Sequence, residues 1–293
     1  MLEVCGVDSV ERLFDAIPVH LRAASFAVPQ GLSEQEVVER LKAHGAGNTV
    51  AGLRSFLGGG YYDHYVPAAV DALSARAEFF TAYTPYQPEA SQGWLQSIFE
   101  YQTAICELTG MDVSNASLYD GTTAVVEGVF MALRVNNRSR VVVDGALNPA
   151  ARNVLRTYAL RRGLTVTEVP AVPGRDRFDA LEKQLDDTTA ALVVQNPDFF
   201  GQVHDYTQLF ASAARKKIVT VLSVYPMSLG MLKTPARMGA DIAVGEGQCL
   251  GNRLGFGGPY LGIIATGRQH ARRLPGRIVG ETLEHDGRRG FVL

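Results

Sequence analysis

Lysine is scarce in this chain. There are five in 293 residues, at Lys42, Lys183, Lys216, Lys217 and Lys233, and none beyond position 233. Any chemistry that needs an amine nucleophile must draw on those positions. Cysteine is scarcer still: Cys5, Cys106 and Cys249 are isolated and form no C-x-x-C pair. That argues against a disulfide framework and suits a reducing compartment, with Cys5 and Cys106 expected as single buried thiols. No apolar run reaches the roughly 18 residues of a membrane helix. The start, Met1-Leu2-Glu3-Val4, has no basic stretch leading into an apolar one, so no secretory signal is expected and the cytoplasm is the expected location. Charge of one sign is also missing. A net charge of −2 gives no reason to expect nucleic acid or an anionic membrane as a bulk partner.

What is present is an ordinary globular composition, 46% apolar and 20% charged, long enough for one large domain or two small ones. Residues 1–52 read as a helical N-terminal segment. Ser9 is placed to cap a helix with Val10, Leu13, Phe14 and Ile17 on one face. Ser33 and Glu36 form a capping-box pair, with Gly45 expected as the stop. Residues 53–293 read as a large α/β domain. Within it, 54–93 is an irregular stretch dense in glycine, proline and tyrosine, which favours a functional surface over a linker.

From about residue 93, helix and strand patterns alternate. One helix carries Leu95, Ile98, Phe99 and Ile105 and ends at Gly110; a second carries Val125 to Leu133; a third opens at Asn148-Pro149. The apolar strand candidates are 141–143, 164–169, 191–194, 218–224, 242–244 and 261–265. Strands without polar alternation, separated by helices, imply a mostly parallel sheet with helices on both faces. In such a sheet ligands bind beyond the carboxyl ends of the strands. Those ends carry Gln195-Asn196-Pro197-Asp198, Tyr225-Pro226 and Gly245-Glu246-Gly247-Gln248. Asp120-Gly121-Thr122-Thr123 opens a helix and could hold an anion there. Each also has a plain reading: Asp120 or Thr122 as a helix cap, and Asn196-Pro197 as a turn.

The stretch Phe79-Phe80-Thr81-Ala82-Tyr83-Thr84-Pro85-Tyr86-Gln87-Pro88-Glu89-Ala90-Ser91-Gln92-Gly93 resembles the most characteristic segment of glycine decarboxylase, the P-protein of the glycine cleavage system. Ser55-Phe56-Leu57-Gly58-Gly59-Gly60 precedes it. Asn115 to Gly121, Val193 to Pro197, Gly239 to Gly245, Gly255 to Pro259 and Leu274 to Thr282 follow in family order. The resemblance implies the large domain of the fold-type I pyridoxal-phosphate-dependent transferases. It also implies the activity of glycine dehydrogenase (aminomethyl-transferring): glycine loses carbon dioxide, and the aminomethyl group passes to the lipoyl arm of H-protein. Because the resemblance stops at Gly290-Phe291-Val292-Leu293, it implies a chain cut short, without the family's small C-terminal domain.

Within that family the chain looks like subunit 1 of the two-subunit type, whose partner, subunit 2, holds the pyridoxal phosphate. Counted back from Gly257-Gly258-Pro259, the position of the family's Schiff-base lysine is Gln248, and an amide cannot form an imine. Tyr225 stands where the acid partner of the pyridine nitrogen is expected. No cofactor-binding residue is therefore expected in this chain. Lys233, before Thr234-Pro235, reads better as the cap of an exposed turn than as a substitute. The residues expected to serve the partner's site are Tyr83 first, for its apolar face and single hydroxyl, and His64 second, for its titration near neutral pH. Tyr86, Gln87, Glu89, Asn196 and Arg277 are expected at substrate or at the interface; the alternative is packing between subunits for Tyr83, His64, Tyr86, Gln87 and Glu89, a surface ion pair for Arg277 and a turn for Asn196. For the whole chain, the alternative is a catalytically silent, truncated scaffold that binds the partner subunit.

Overall fold

The computed structural model describes residues 1–50, 52–54 and 56–293, so Ala51 and Ser55, the latter opening the Ser55–Gly60 stretch, lie outside the described residues. The chain forms two compact units, Met1–Phe56 and Leu57–Leu293.

Among the described residues of the first unit the only α-helix is α1 (Glu34–Ala46). Ser33 Oγ accepts the Glu36 N–H, and the Glu36 carboxylate accepts the Ser33 N–H at 2.8 Å, the expected reciprocal cap. The expected stop at Gly45 is displaced: the helix runs through it to Ala46 and closes at Gly47, whose φ of −73° needs no glycine. The helix expected after Ser9 does not form. Glu11–Phe14 and Val19–Leu21 are single 3₁₀ turns, with Val10 and not Ser9 at the first N-terminus. The physical reason is that helices this short draw their stability from packing an apolar face. Here Val10, Leu13, Phe14 and Ile17 are exposed, and Pro18 interrupts the run. Cys5, expected as a buried thiol, is exposed too, and Cys106 is half-buried.

The second unit opens with α2 (Ala68–Ser74) and α3 (Ala77–Phe80), followed by α4 (Gln92–Thr109), β1 (Val113–Ser114), α5 (Gly121–Asn136) and β2 (Arg140–Asp144). Next come α6 (Pro149–Arg162), β3 (Thr165–Val169), α7 (Phe178–Lys183), β4 (Thr189–Asn196), α8 (Thr207–Arg215) and β5 (Val219–Val224). It closes with α9 (Pro235–Met238), β6 (Ile242–Glu246), β7 (Gly262–Thr266), β8 (Gly280–Leu283) and β9 (Arg289–Val292). Helix α4 buries Leu95, Gln102, Ile105 and Thr109 on one face and stops at Gly110, which is left-handed at φ 73°. Asn148 caps α6, its Oδ1 accepting the Ala150 N–H at 2.8 Å, with Pro149 in the first turn.

Seven strands pair in the order β1-β7-β6-β5-β4-β2-β3. β3, β2, β4, β5 and β6 are parallel; β7 runs against both β6 and β1. The pleat sends alternate residues to opposite cores. Val142, Leu192, Val194 and Leu222 join Ile105 of α4, Leu181 of α7 and Phe210 of α8. Val141, Val143, Val193, Val221 and Val244 join α5 and Leu155 of α6. The sheet is thus mostly parallel with helices on both faces, as its apolar strands imply. Helix α5 sits so close that a Cβ on Gly128 would lie 3.0 Å from Val221 Cγ1. The β8–β9 hairpin forms a separate two-stranded sheet fastened to the start of α4 by Gln92, whose side chain accepts from the Phe291 N–H at 2.8 Å and donates to its carbonyl at 2.9 Å. Among the described residues no helix is long and apolar enough to cross a membrane.

Candidate functional site: a cavity at the strand ends

A cavity of about 640 Å³ opens beyond the carboxyl ends of β4, β5 and β6, beside the N-termini of α5 and α6. This is where an open α/β sheet places its ligands. Gln195, Tyr225 and Glu246 come from the strand ends, and Gly121 and Thr122 from the start of α5. Phe199 and Phe200 come from the loop after β4, and Tyr61, Tyr62 and His64 from the irregular stretch before α2.

The segment over the cavity is pinned by the cavity's own walls. Asn148 Nδ2 donates to the Gly59 carbonyl at 2.6 Å. The Tyr61 ring stacks on Tyr260 at 4.4 Å, and the Tyr62 ring meets Tyr225 edge-on at 5.3 Å. His64 Nε2 and the Tyr225 hydroxyl are hydrogen-bonded, with their rings 5.9 Å apart. His64 and Tyr225, which the sequence considers for different reasons, therefore meet in one place. Burial, followed by the neighbouring Cys249 and Tyr62, drives the Tyr225 phenol's pKa upward, so the hydroxyl stays protonated.

At the start of α5 two carboxylates occupy the exposed end of the helix dipole. Asp120 Oδ1 accepts the Thr123 N–H at 2.8 Å, completing a capping box. Glu246 Oε2 accepts the Gly121 N–H at 2.8 Å, while its Oε1 accepts from Gln248 at 2.9 Å and Leu261 at 3.1 Å. Contact is tight enough that a Cβ on Gly121 would fall 2.8 Å from Glu246 Cβ. Burial pushes the Glu246 carboxyl upward despite these three N–H donors. The Tyr61 hydroxyl is pushed up to about 12 by burial and by the charges of Glu246 and Asp120.

Behind the cavity the loop after β4 hangs on a buried ion network. Arg177 Nε donates to Asp144 Oδ1 at 2.6 Å and Nη2 to Asp198 Oδ2 at 2.9 Å; His204 Nε2 lies 3.1 Å from the same Asp198 oxygen. Asn196 is buried with its amide bonded both ways to the backbone of His204, at 3.0 Å each. Its neighbour Gln195, and not Asn196, lines the cavity.

The remaining expected residues lie elsewhere. Tyr83 and Tyr86 are exposed, with ring centroids 6.2 Å apart, and the Arg277 guanidinium sits over the Tyr86 ring at 5.6 Å. Gln87 and Glu89, which follow Tyr86, are exposed as well. Tyr83 rims a separate hollow of about 390 Å³ with Phe79 and Trp94. Lys233 reaches Asp205 and donates to Thr207 Oγ1 at 2.6 Å, at the start of α8, away from the cavity lining.

The residues present do not fit the coenzyme that the resemblance implies. An imine needs an amine, yet Gln248 is a buried amide whose Nε2 donates to the Asn252 carbonyl at 2.6 Å, and no lysine lines the cavity. A pyridinium needs a carboxylate partner, and Tyr225 offers a phenol. A phosphate needs free N–H groups at a helix start, and the Gly121 N–H is already bonded to Glu246. Arg177 and Tyr61 are the residues that sequence reasoning missed; Glu246 and Asp198 lie in strand-end stretches that it names, but without these bonds. For Glu246 a signal existed: a carboxylate at the carboxyl end of a strand, two residues before Gln248.

Comparison with known proteins agrees with this layout. The family model described as glycine cleavage system P-protein matches residues 1–293. A probable glycine dehydrogenase (decarboxylating) subunit 1 of Geotalea uraniireducens is 56% identical over the whole chain, and its namesake in Nitratidesulfovibrio vulgaris is 53% identical. The chain spans 66% of each of those relatives. Among solved structures, a glycine decarboxylase (P-protein) of the glycine cleavage system, in inhibitor-bound form, superposes with a TM-score of 0.94 at 45% identity, covering all of this chain and 66% of that one. A Burkholderia pseudomallei sphingosine-1-phosphate lyase, 15% identical with a TM-score of 0.63, shares the fold alone. The architecture is that of the fold-type I large domain, and the chain belongs to the glycine cleavage system P-protein family.

Proposed function

We propose that this chain acts as the subunit without coenzyme in a glycine dehydrogenase (aminomethyl-transferring), an oxidoreductase component of the glycine cleavage system. The partner, subunit 2, supplies pyridoxal phosphate, glycine is the substrate, and the lipoyl group of H-protein takes the aminomethyl unit. Relatives named as subunit 1 support this reading. The observation that carries it is chemical: Gln248, Tyr225 and Glu246 stand at the three places where the coenzyme would need an amine, an acid and an open helix start. The complex works in the cytoplasm.

In this reading the exposed aromatic patch faces the partner. Tyr83 presents its ring and hydroxyl to the partner's substrate. Tyr86 under Arg277 gives that loop a firm base, and the Arg277 guanidinium attracts a carboxylate. Gln87 and Glu89 meet the partner subunit or the lipoyl arm. His64, bonded to Tyr225, and Asn196, bonded to His204, hold this chain's own strand ends in place.

The test combines the chain with subunit 2, lipoylated H-protein and labelled glycine, and follows release of labelled carbon dioxide. Release that requires both subunits supports the proposal. Release by subunit 2 alone, unchanged when this chain is added, leaves it a silent scaffold. Borohydride fixation of the coenzyme onto this polypeptide overturns the assignment.

A further inference from the structure

The cavity at the strand ends rejects the family's coenzyme, yet it has neither collapsed nor filled with apolar side chains. Its volume of about 640 Å³ is that of a small-molecule site. Its chemistry is one-sided. Neither lysine nor arginine lines it, while the rings of Tyr61, Tyr62, Tyr225, Phe199 and Phe200 do. Ring faces are negative and attract cations. Glu246 adds a half-buried carboxylate that has no cationic partner among the described residues. The other acid of the lining, Asp198, is already paired with Arg177, which it shares with Asp144.

Charge at the start of α5 has the same sign. A helix N-terminus carries about half a positive charge. Against it stand two carboxylates, Asp120 and Glu246, both bonded to first-turn N–H groups. The excess is negative, and it acts with burial to raise the pKa of the neighbouring Tyr61 hydroxyl. An anion entering here would meet resident negative charge and an N–H already taken. A cation would meet aromatic rings and an acid with no cationic partner among the described residues.

We propose that this cavity is a binding site for a small organic ammonium ion, held by Glu246 and the aromatic rings of Tyr61, Tyr62 and Tyr225, and that Glu246 closes the start of α5 to phosphate-bearing ligands. Replacement of a phosphate by the chain's own carboxylate turns an anion receptor into a cation receptor without altering the strands around it. The site is separate from the exposed Tyr83 patch, and it rests on the reading that this chain does not hold the coenzyme.

The test is isothermal titration calorimetry of the 293-residue chain with three probes at constant ionic strength: benzyltrimethylammonium, benzyl alcohol as a neutral control, and inorganic phosphate. Saturable binding of the ammonium probe is expected, with benzyl alcohol at least roughly tenfold weaker, a factor equal to about 1.4 kcal/mol. No phosphate binding is expected. Glu246→Gln is expected to weaken the ammonium probe about tenfold or more, and Tyr225→Leu to weaken it several-fold. Equal affinity for the cation and the alcohol, saturable phosphate binding, or no ammonium binding overturns the proposal. Unchanged cation affinity in a folded Glu246→Gln does so as well. Should the variants fail to fold, the three-probe contrast on the unaltered chain still decides.

Discussion

Arg177→Met is expected to destabilise the large unit by about 3–5 kcal/mol, the usual consequence of removing one partner from a buried ion pair. The magnitude follows from what is left behind. Asp144 is 0% exposed and Asp198 4%, and Arg177, itself 5% exposed, is the cation that bridges them. Methionine fills the side-chain volume, so the change tests charge and not a void. Asp198 keeps its bonds to the Phe200 and Gln202 N–H groups, which prevents a larger loss. With a urea slope of about 3 kcal/mol/M for a chain of this size, the midpoint should fall by about 1–1.7 M, read by circular dichroism and tryptophan fluorescence. The pH dependence has a definite sign. Burial opposes the charge on Asp198, but the Gln202 N–H, the His204 ring and Arg177 outweigh it and hold its carboxyl below the ordinary range. A depressed folded pKa contributes stability that is present above the unfolded value of about 3.9 and lost as pH falls through the folded value. In Arg177→Met the part of that depression due to Arg177 is relieved, and Asp198 takes up its proton at higher pH than in the parent. The variant therefore sheds its penalty by protonation as the solution is acidified, and its deficit narrows between pH 7 and about pH 4 while the parent is still intact. A loss under about 1 kcal/mol at pH 7, or a deficit that widens on acidification, refutes the reasoning.

Other perturbations test other parts of the structure. Gln102→Leu removes an amide that bonds both the N–H and the carbonyl of Val279 at 2.9 Å, leaving two buried backbone groups unmet; a loss of about 2 kcal/mol in urea denaturation is expected. Gly121→Ala places a Cβ 2.9 Å from the Glu246 backbone nitrogen, which cannot move aside as a side-chain tip can, so about 1–3 kcal/mol should be lost in thermal unfolding. Tyr83→Ala should leave the melting temperature within about a degree, since the side chain is 80% exposed. The same change should lower glycine-dependent carbon dioxide release by the reconstituted complex about tenfold or more; unaltered release removes Tyr83 from the proposed site.

How much was legible in the sequence depended on how local the cause was. The strand at Val141–Val143, the stop at Gly110 and the cap at Asn148 are each set by a few adjacent residues, and each is found where the pattern places it. The helix after Ser9 fails because its apolar face has nothing in its own unit to bury against, a fact about packing and not about spacing. Arg177, Asp144 and Asp198 meet across separations of 33 and 21 residues, which no local pattern encodes. Two-residue β1 is defined only by its partner β7. That an amide and not an amine stands at Gln248 was legible because it concerns one position. The role of Glu246 was not, because it depends on the start of α5, 125 residues away in sequence, lying within hydrogen-bond reach. These two differ in consequence as well as in visibility. An amide at 248 removes the covalent anchor but leaves a phosphate-sized position open at a helix start. A carboxylate at 246 fills that position. Restoring the amine alone, as Gln248→Lys, should therefore yield no borohydride-stable adduct with pyridoxal phosphate on this polypeptide, because the phosphate still meets a resident negative charge. Adduct formation by that single change would show that the anchor, and not the closed helix start, is what keeps the coenzyme out.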